Sequence, residues 1–163
     1  MRKSIEVTIT EDGNPIVFRI QQMSATEQER WIIGVGLAIA GCAGAYTDIG
    51  DDISGGAIMG MIEKDPFRFL SLLSGLKQET IQPLLEDLIA CCYHKVGAAE
   101  IRCSYENIDG VLTDVFNLLR LKVEALKLNF SELARRGRDA LTALSGANRS
   151  SSEEAPPVLK IPH

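Results

Sequence analysis

The sequence lacks the residues and motifs on which most enzyme chemistry depends. It has only two histidines, His94 and His163, and no phosphate-binding Gly-x-x-x-x-Gly-Lys-Ser/Thr, no Gly-x-Ser-x-Gly and no dinucleotide fingerprint. Any pairing of a nucleophile with a histidine would therefore depend on His94. We expect a protein that is not an enzyme, with no catalytic residue and no cofactor.

A surplus of basic residues is also missing. Lys and Arg number 17 against 22 Asp and Glu, which gives a formal net charge of −5. Proteins that bind nucleic acid normally carry a strong positive surplus, so no nucleic-acid partner is expected. The first residues, Met1 to Glu6, include two basic side chains but no apolar core behind them, so a signal peptide is not expected either.

The four cysteines do not have the spacing of a disulfide framework. Cys42, Cys91, Cys92 and Cys103 are therefore interpreted as reduced thiols of a cytosolic protein. The run Cys91-Cys92-Tyr93-His94 raises the alternative of a metal or thiol site. Adjacent side chains on a helix diverge by about 100°, and the chain has no Cys-x-x-Cys, so core cysteines are favoured and no metal site is predicted.

Charge is absent from Trp31 to Thr47, where glycines and alanines alternate with larger apolar residues. This run falls short of the ~20 apolar residues that span a bilayer, and small residues add little hydrophobicity. Small residues at these spacings also allow helices to pack closely in membranes. The favoured interpretation is tight packing inside a helical bundle; a small membrane-associated protein that uses the Gly-rich 34–60 segment is the alternative.

The start of the chain alternates between apolar and polar residues. This period of two predicts strands over residues 4–10 and 16–21, joined by turn residues between them, and hence a β-hairpin over 4–21. The same alternation around Ile101, Cys103 and Tyr105 predicts a third short strand, at 100–105, which can join the hairpin. An isolated hairpin is marginally stable, so this small sheet must pack on helices.

Capping signals and apolar periodicity predict helices over most of the remaining chain. Ser24 and Glu27 have the spacing of a capping box, which places a helix at about 25–43. Asp65-Pro66 begins another at 65–75, with Phe67, Leu70 and Leu73 on its apolar side. A third covers about 78–93, and its apolar stripe consists of Ile81, Leu84, Leu85, Leu88, Ile89 and Cys92.

The longest helix is predicted at about 113–143 and has two apolar rows. The first row recurs at heptad-like spacing and comprises Phe116, Leu119, Val123, Leu126, Phe130 and Leu133. The second row is less bulky and comprises Leu118, Leu121, Ala125 and Leu128. We expect the first row to face the core and the second row to contact a partner or another copy, together with basic Arg135, Arg136 and Arg138. The alternative is that the sheet and the Gly-rich helix cover both rows.

These elements predict a mainly α fold, with a small N-terminal β-hairpin and a long C-terminal helix. One domain should cover residues 1–145, and the polar, proline-containing residues 146–163 have the composition of a flexible tail.

Four stretches in this order resemble the tail assembly chaperones of long-tailed phages and prophages. They are Phe18–Ala25, Glu29–Trp31, Ile81–Cys91 and Leu119–Phe130, within a similarity that covers about residues 4–133. The family has no active site. The resemblance implies binding of the tape-measure protein, maintenance of its solubility, and recruitment of tail-tube subunits. It also implies location in the host cytoplasm, absence from the mature virion, and several copies acting together, with homo-oligomer formation as one form of this.

Overall fold

A computed structural model describes residues 1–41 and 55–150. The chain is mainly helical with one four-stranded antiparallel sheet, which confirms the predicted fold class and extends the predicted sheet by a strand. The order of elements is β1 (Ser4–Glu11), β2 (Asn14–Gln21), α1 (Ala25–Ala40), α2 (Gly55–Lys64), α3 (Pro66–Ser74), α4 (Gln78–Ala90), β3 (Cys92–Val96), β4 (Ala99–Arg102), a short 3-10 turn (Ile108–Gly110) and α5 (Val115–Ser150).

The sheet has the order β1-β2-β3-β4, with every neighbouring pair antiparallel. The predicted hairpin is confirmed, with a tighter turn than expected. Asp12 and Gly13 alone connect its strands, and both have positive φ, 49° and 80°. This backbone suits the right-handed twist of a two-residue hairpin, and glycine adopts it without strain. The predicted third strand at 100–105 is confirmed in part, as β4 (Ala99–Arg102); it pairs with β3 and not directly with the hairpin.

Strand β3 was not predicted, because the helix expected over 78–93 ends at Ala90. Cys92 and His94 pair with Ile20 and Phe18 of β2, and Tyr93 pairs with Arg102 of β4. Alternate residues of this segment thus face opposite sides of the sheet, as strand geometry requires. The assumption that Cys91 and Cys92 lie on one helix was wrong: Cys91 is the C-cap residue of α4, and Cys92 begins the strand.

Capping residues determine where α1 and α3 begin and end. Ser24 forms the predicted capping box with Glu27 at the start of α1, and Asp65 caps α3, whose first residue is Pro66. Helix α1 covers Ala25–Ala40, with Gly41 as its C-cap. Helix α2 was not predicted as a helix.

Burial in α3 differs from the prediction at one position. Phe69, Leu70 and Leu73 are buried, whereas Phe67, predicted on the apolar side, is 46% exposed. Phe69 occupies the core position instead. Its ring lies 6.3 Å from that of Trp31, measured between centroids.

Helix α5 is the central element of the fold. It contacts β1 and β2 of the sheet and also packs against α2, α3 and α4. It extends to Ser150, past the predicted end at 143, so the first residues assigned to a flexible tail are helical. Residues 151–163 of the predicted tail lie outside the described residues, as do Cys42 and the predicted end of the first helix at 42–43.

A buried carboxylate fixes the start of α5 on the hairpin. Glu11 is 6% exposed, and its Oε1 accepts hydrogen bonds from the backbone amides of Thr113 and Asp114. Its Oε2 accepts a bond of 2.6 Å from Asn117 Nδ2. The hydroxyl and amide donors of Thr113 and Asn117 lower the pKa of Glu11 to about 2.

Candidate partner-binding surface

The second apolar row of α5, predicted to be open to a partner, is largely internal. Leu121 and Ala125 are completely buried, while Leu118 and Leu128 are half-buried. The prediction that Leu121 and Ala125 lie on an accessible face was wrong. The sheet takes up one side of α5 and three other helices take up more of its circumference, so both rows contribute to the core.

The first row of α5 is buried in its middle and exposed at its two ends. Val123, Leu126 and Phe130 belong to the core, but Phe116 is 68% and Leu133 is 37% exposed. The heptad-like spacing therefore extends beyond the part of the helix that the core covers. Leu133, at the end of this row, contributes to the surface described below.

The three predicted basic contacts are exposed and each has acidic neighbours. Arg135 bonds to Glu132 and Asp139, Arg136 to Glu132, and Arg138 to Glu63 of α2. Arg135 and Arg136 lower the pKa of Glu132 to about 2. Exposed ion pairs of this kind contribute little to stability, so these charges can exchange partners readily.

Helix α1 carries an exposed apolar face that the sequence analysis did not identify. Trp31, Val35 and Ala38 face the core, whereas Ile33 is 55% and Leu37 is 67% exposed on the opposite side. Ile33 and Leu37 are four residues apart, so they are neighbours on the helix surface. The signal was the absence of charge from residue 31 onward: a helix that is apolar all round is either fully buried or in contact with a partner.

Contacts of Trp31 and Asn129 fix α1 in place. The Trp31 ring stacks on Phe130 of α5 at a centroid distance of 4.4 Å, and its Nε1 donates a hydrogen bond to the Leu84 carbonyl of α4. Gln28 Nε2 donates to the backbone carbonyl of Asn129, whose own side chain accepts from the amide of Met23. The exposed face of α1 is thus held rigidly beside α5.

Two apolar depressions adjoin this face, and we call them together the α1 groove. The larger, of about 520 Å³, lies between α1 and α5 and is lined by Ala25, Thr26, Gln28, Glu29, Ile32, Ile33 and Leu133. The smaller, of about 130 Å³, lies between α1 and α2 and is lined by Trp31, Ile32, Val35, Gly36, Ile58, Met59 and Ile62. Ile32 lines both parts. Glu29 is the one charged residue in the two linings.

The chemistry of the α1 groove suits the binding of apolar side chains. Exposed contiguous apolar surface on a rigid element is typical of a protein-binding site, and a groove between helices suits an amphipathic helix or an extended segment.

Comparison with known protein families shows to which family the chain belongs. Residues 13–133 match the family described as phage tail assembly chaperone protein, TAC. The chain belongs to this family. The prediction made from the four stretches above is therefore confirmed. No curated protein and no solved structure matches the chain.

The matched region of the tail assembly chaperone includes all residues that line the α1 groove. The groove extends from Ala25 to Leu133, which is the last residue of the match. The projecting end of α5 and its three arginines lie beyond it. The groove is therefore part of the family domain rather than of an appended segment.

The three cysteines that the structure describes are internal. Cys91, Cys92 and Cys103 are buried free thiols. The hydrogen bond with Cys91, followed by burial, raises the pKa of Cys92, and burial raises the pKa of Cys103 to about 11. Thiols with raised pKa values are poor nucleophiles at neutral pH. Across residues 1–41 and 55–150, no cluster of His, Cys, Asp and Glu is placed to hold a metal ion.

The membrane alternative rested on the Gly-rich segment of the chaperone. In the part of the chain that the structure describes, no helix combines the length and the apolar character needed to cross a bilayer. Residues 42–54 of that segment are not among those described.

Proposed function

We propose that this tail assembly chaperone binds the tape-measure protein through the α1 groove and keeps it soluble until tail-tube subunits assemble around it. The observation that carries the proposal is the exposed apolar face of α1, with Ile33 and Leu37 beside the groove. A tape-measure protein is a very long, helix-rich chain whose apolar stripes would otherwise associate with one another. A rigid apolar groove covers such a stripe.

Several copies binding along one tape-measure chain would act together. Repeated weak contacts give high total affinity and still allow each copy to be displaced by tail-tube subunits. Such a role takes place in the host cytoplasm, needs no catalytic step, and leaves the chaperone out of the finished virion. Contact between the copies, in a homo-oligomer, is a separate part of the proposal.

Basic residues at the end of the groove extend the proposed contact. Arg136 follows Leu133 by one helical turn, and Arg135 is its neighbour on the exposed side of α5. Because their carboxylate partners are exposed and local, these guanidinium groups can exchange them for acidic residues of a tape-measure helix. We therefore retain Arg135, Arg136 and Arg138 as predicted contacts.

The test is co-expression with the tape-measure protein of the same phage or prophage, with recovery of soluble complex as the readout. Replacing Ile33 and Leu37 by Gln should weaken binding by about 1–2 kcal/mol for each side chain, or roughly 5- to 30-fold. Gln is favourable in exposed helices, so both variants should fold.

Phe116→Gln is the matched control. It removes a large apolar side chain that is 68% exposed, as Leu37 is 67% exposed, but it lies in the first turn of α5, far from the groove. The control should rescue the tape-measure protein as well as the natural chain does. Equal rescue by all three variants would reject the groove as the binding site.

Recruitment of tail-tube subunits requires a second assay. The purified complex is mixed with tail-tube protein, and the formation of tube around the tape-measure protein is followed by electron microscopy. We expect assembly with the natural chain and not with tape-measure protein alone. Tube formation without the chaperone would reject this part of the proposal.

A further inference from the structure

The outer side of strand β1 is an open edge of the sheet. The strand is the first in the order β1-β2-β3-β4, and it pairs with β2 on one side only. Within residues 1–41 and 55–150, no strand pairs with its other side. We call this outer side the β1 edge.

The register shows which backbone groups point to the β1 edge. The two-residue turn makes Glu11 and Asn14 a hydrogen-bonded pair, and such pairs alternate along an antiparallel ladder. At the other end of β2, the amide of Gln21 donates to the Cys91 carbonyl, away from β1, which agrees with this alternation. Alternate residues of β1 therefore direct their N–H and C=O groups outward, namely Ser4, Glu6, Thr8 and Thr10.

The β1 edge differs from the edge at the opposite side of the sheet. Strand β4 has four residues, and its outward residues Glu100 and Arg102 are charged, as is typical of edges that do not pair further. Strand β1 has eight residues in unbroken register, without proline or lysine. Its outward Glu6 is neutralised within the sheet by Lys95. The β1 edge therefore lacks the usual protection against another strand.

We infer that the β1 edge pairs with the β1 edge of a second copy of this chain. The two strands are antiparallel, with Val7 opposite Val7 of the second copy, and they join the two sheets into one. The inference rests on the part of the proposed function in which copies contact one another, and it names the surface. A dimer carries two α1 grooves, so it binds one tape-measure chain with higher total affinity.

Charges at the two ends of β1 match this pairing. Basic Arg2 and Lys3 lie at the start of the strand, and acidic Glu11 and Asp12 lie at its end. With the two-fold axis at Val7, Arg2 of one copy is opposite Asp12 of the other, and Lys3 is opposite Glu11. The axis repeats both contacts, so the edge is complementary in charge to a second copy of itself.

The side chains between these ends select the same register. With the axis at Val7, Glu6 is opposite Thr8 of the second copy, whereas an axis at Glu6 would place two carboxylates opposite each other, which is destabilising. Ile5 is then opposite Ile9, on the face that the helices cover. Ile5 and Val7 are only half-buried in the single chain, and pairing covers them further.

The first experiment measures dimer formation by the purified full chain, by analytical ultracentrifugation over a concentration series. We expect the natural chain to dimerise. Thr8→Pro removes an outward N–H that bonds to the second copy but none that bonds to β2, and proline is tolerated on edge strands. It should raise the dissociation constant of the dimer roughly 10-fold or more. The matched control Thr8→Ala retains the N–H and should change that constant less than about 3-fold.

The second experiment tests the register by disulfide formation and does not depend on the folding of Thr8→Pro. Opposed residues of a non-hydrogen-bonded pair have Cα atoms about 4.5 Å apart, within the range of a disulfide. Val7→Cys should therefore cross-link two copies under mild oxidation. Ile5→Cys is the control: it is also half-buried, but the two copies of residue 5 lie about 14 Å apart in this register. It should cross-link no more than the natural chain does.

Three results would each overturn the inference. The first is a natural chain that remains monomeric at every concentration. The second is an equal dissociation constant for Thr8→Ala and for Thr8→Pro that circular dichroism shows to be folded. The third is cross-linking of Ile5→Cys as efficient as that of Val7→Cys.

Failure of the inference and failure of the proposed function give different results. If the natural chain is monomeric but Ile33→Gln weakens rescue of the tape-measure protein, the groove keeps its function and the inference is wrong. If the chain dimerises through the β1 edge but rescue is insensitive to Ile33→Gln and Leu37→Gln, the inference holds and the groove is not the binding site.

Discussion

The Glu11 side chain accepts a hydrogen bond of 2.8 Å from the backbone amide of Thr113, across 102 positions of the sequence. This contact joins the tip of the hairpin to the start of α5. A carboxylate at the N-terminus of a helix accepts bonds from amides that have no partner within the helix, and its charge is favourable there.

Low pH should lower the free energy of unfolding of the chaperone, because the Glu11 carboxylate is then protonated. The contacts of Glu11 hold its pKa at about 2 in the folded chain, against its usual value of 4.5. Because the folded pKa is the lower one, the carboxylate stabilises the fold above about pH 4.5, and this contribution is lost as the pH falls towards 2. Glu11→Gln should therefore lower the free energy of unfolding at pH 7, and its stability should fall less than that of the natural chain between pH 5 and 3.

The measurement for Glu11 is urea unfolding at several pH values. Glu6→Gln is the control, because Glu6 is an exposed carboxylate on the outer face of the sheet that pairs with Lys95. We expect this control to retain the acid sensitivity of the natural chain. An identical pH dependence in the Glu11→Gln variant and the natural chain would contradict the prediction.

Leu121 should behave as a core residue. Leu121→Ala removes a fully buried side chain and should cost about 2–5 kcal/mol of unfolding free energy. Leu118→Ala, at a half-buried position of the same row, should cost about 1 kcal/mol. Denaturant titration followed by circular dichroism measures both. Comparable small losses would indicate that the second row of α5 is accessible after all.

Two glycines of α1 should respond differently to alanine. No atom lies within 4 Å of the position that a Cβ of Gly36 would take, so Gly36→Ala should stabilise the chain by about 0.5–1 kcal/mol through helix propensity. A Cβ on Gly34 would meet Leu84 Cδ2 at 2.7 Å, where α1 crosses α4. Gly34→Ala should therefore be less stable than Gly36→Ala, by roughly 1–3 kcal/mol. Thermal unfolding tests this, and equal effects would refute it.

Trp31 should be intolerant even of a conservative change. Trp31→Phe removes the bond to the Leu84 carbonyl and part of the stack on Phe130, which together should cost about 2–4 kcal/mol. Phe67→Leu, at an exposed aromatic position of α3, should cost less than about 1 kcal/mol. Urea midpoints of the two variants provide the comparison.

Local signals in the sequence predicted the elements that depend on neighbouring residues alone. Ser24 with Glu27, and Asp65 with Pro66, satisfy backbone amides within one helical turn, so their spacing was sufficient to place two helix starts. The hairpin was likewise determined by alternation and by its turn residues. The family resemblance followed from the order of these pieces.

Elements that depend on distant partners could not be predicted in the same way. The apolar stripe of α4 continues through Cys92, and only pairing with Ile20 and Phe18 turns that residue into the start of a strand. On α5, spacing identifies two apolar rows but not which elements cover them. On α1, the lack of charge from Trp31 onward hides the difference between the buried Val35 and the exposed Leu37.

Trp31 lines the part of the groove between α1 and α2, and the chain contains no other tryptophan. The indole therefore lies directly beneath any segment that docks there. Displacement of water or approach of a polar group at this point changes its emission, without a label and without a second tryptophan to obscure the signal. If the proposed function is correct, the emission of Trp31 should therefore report when the α1 groove is filled and when it is vacated.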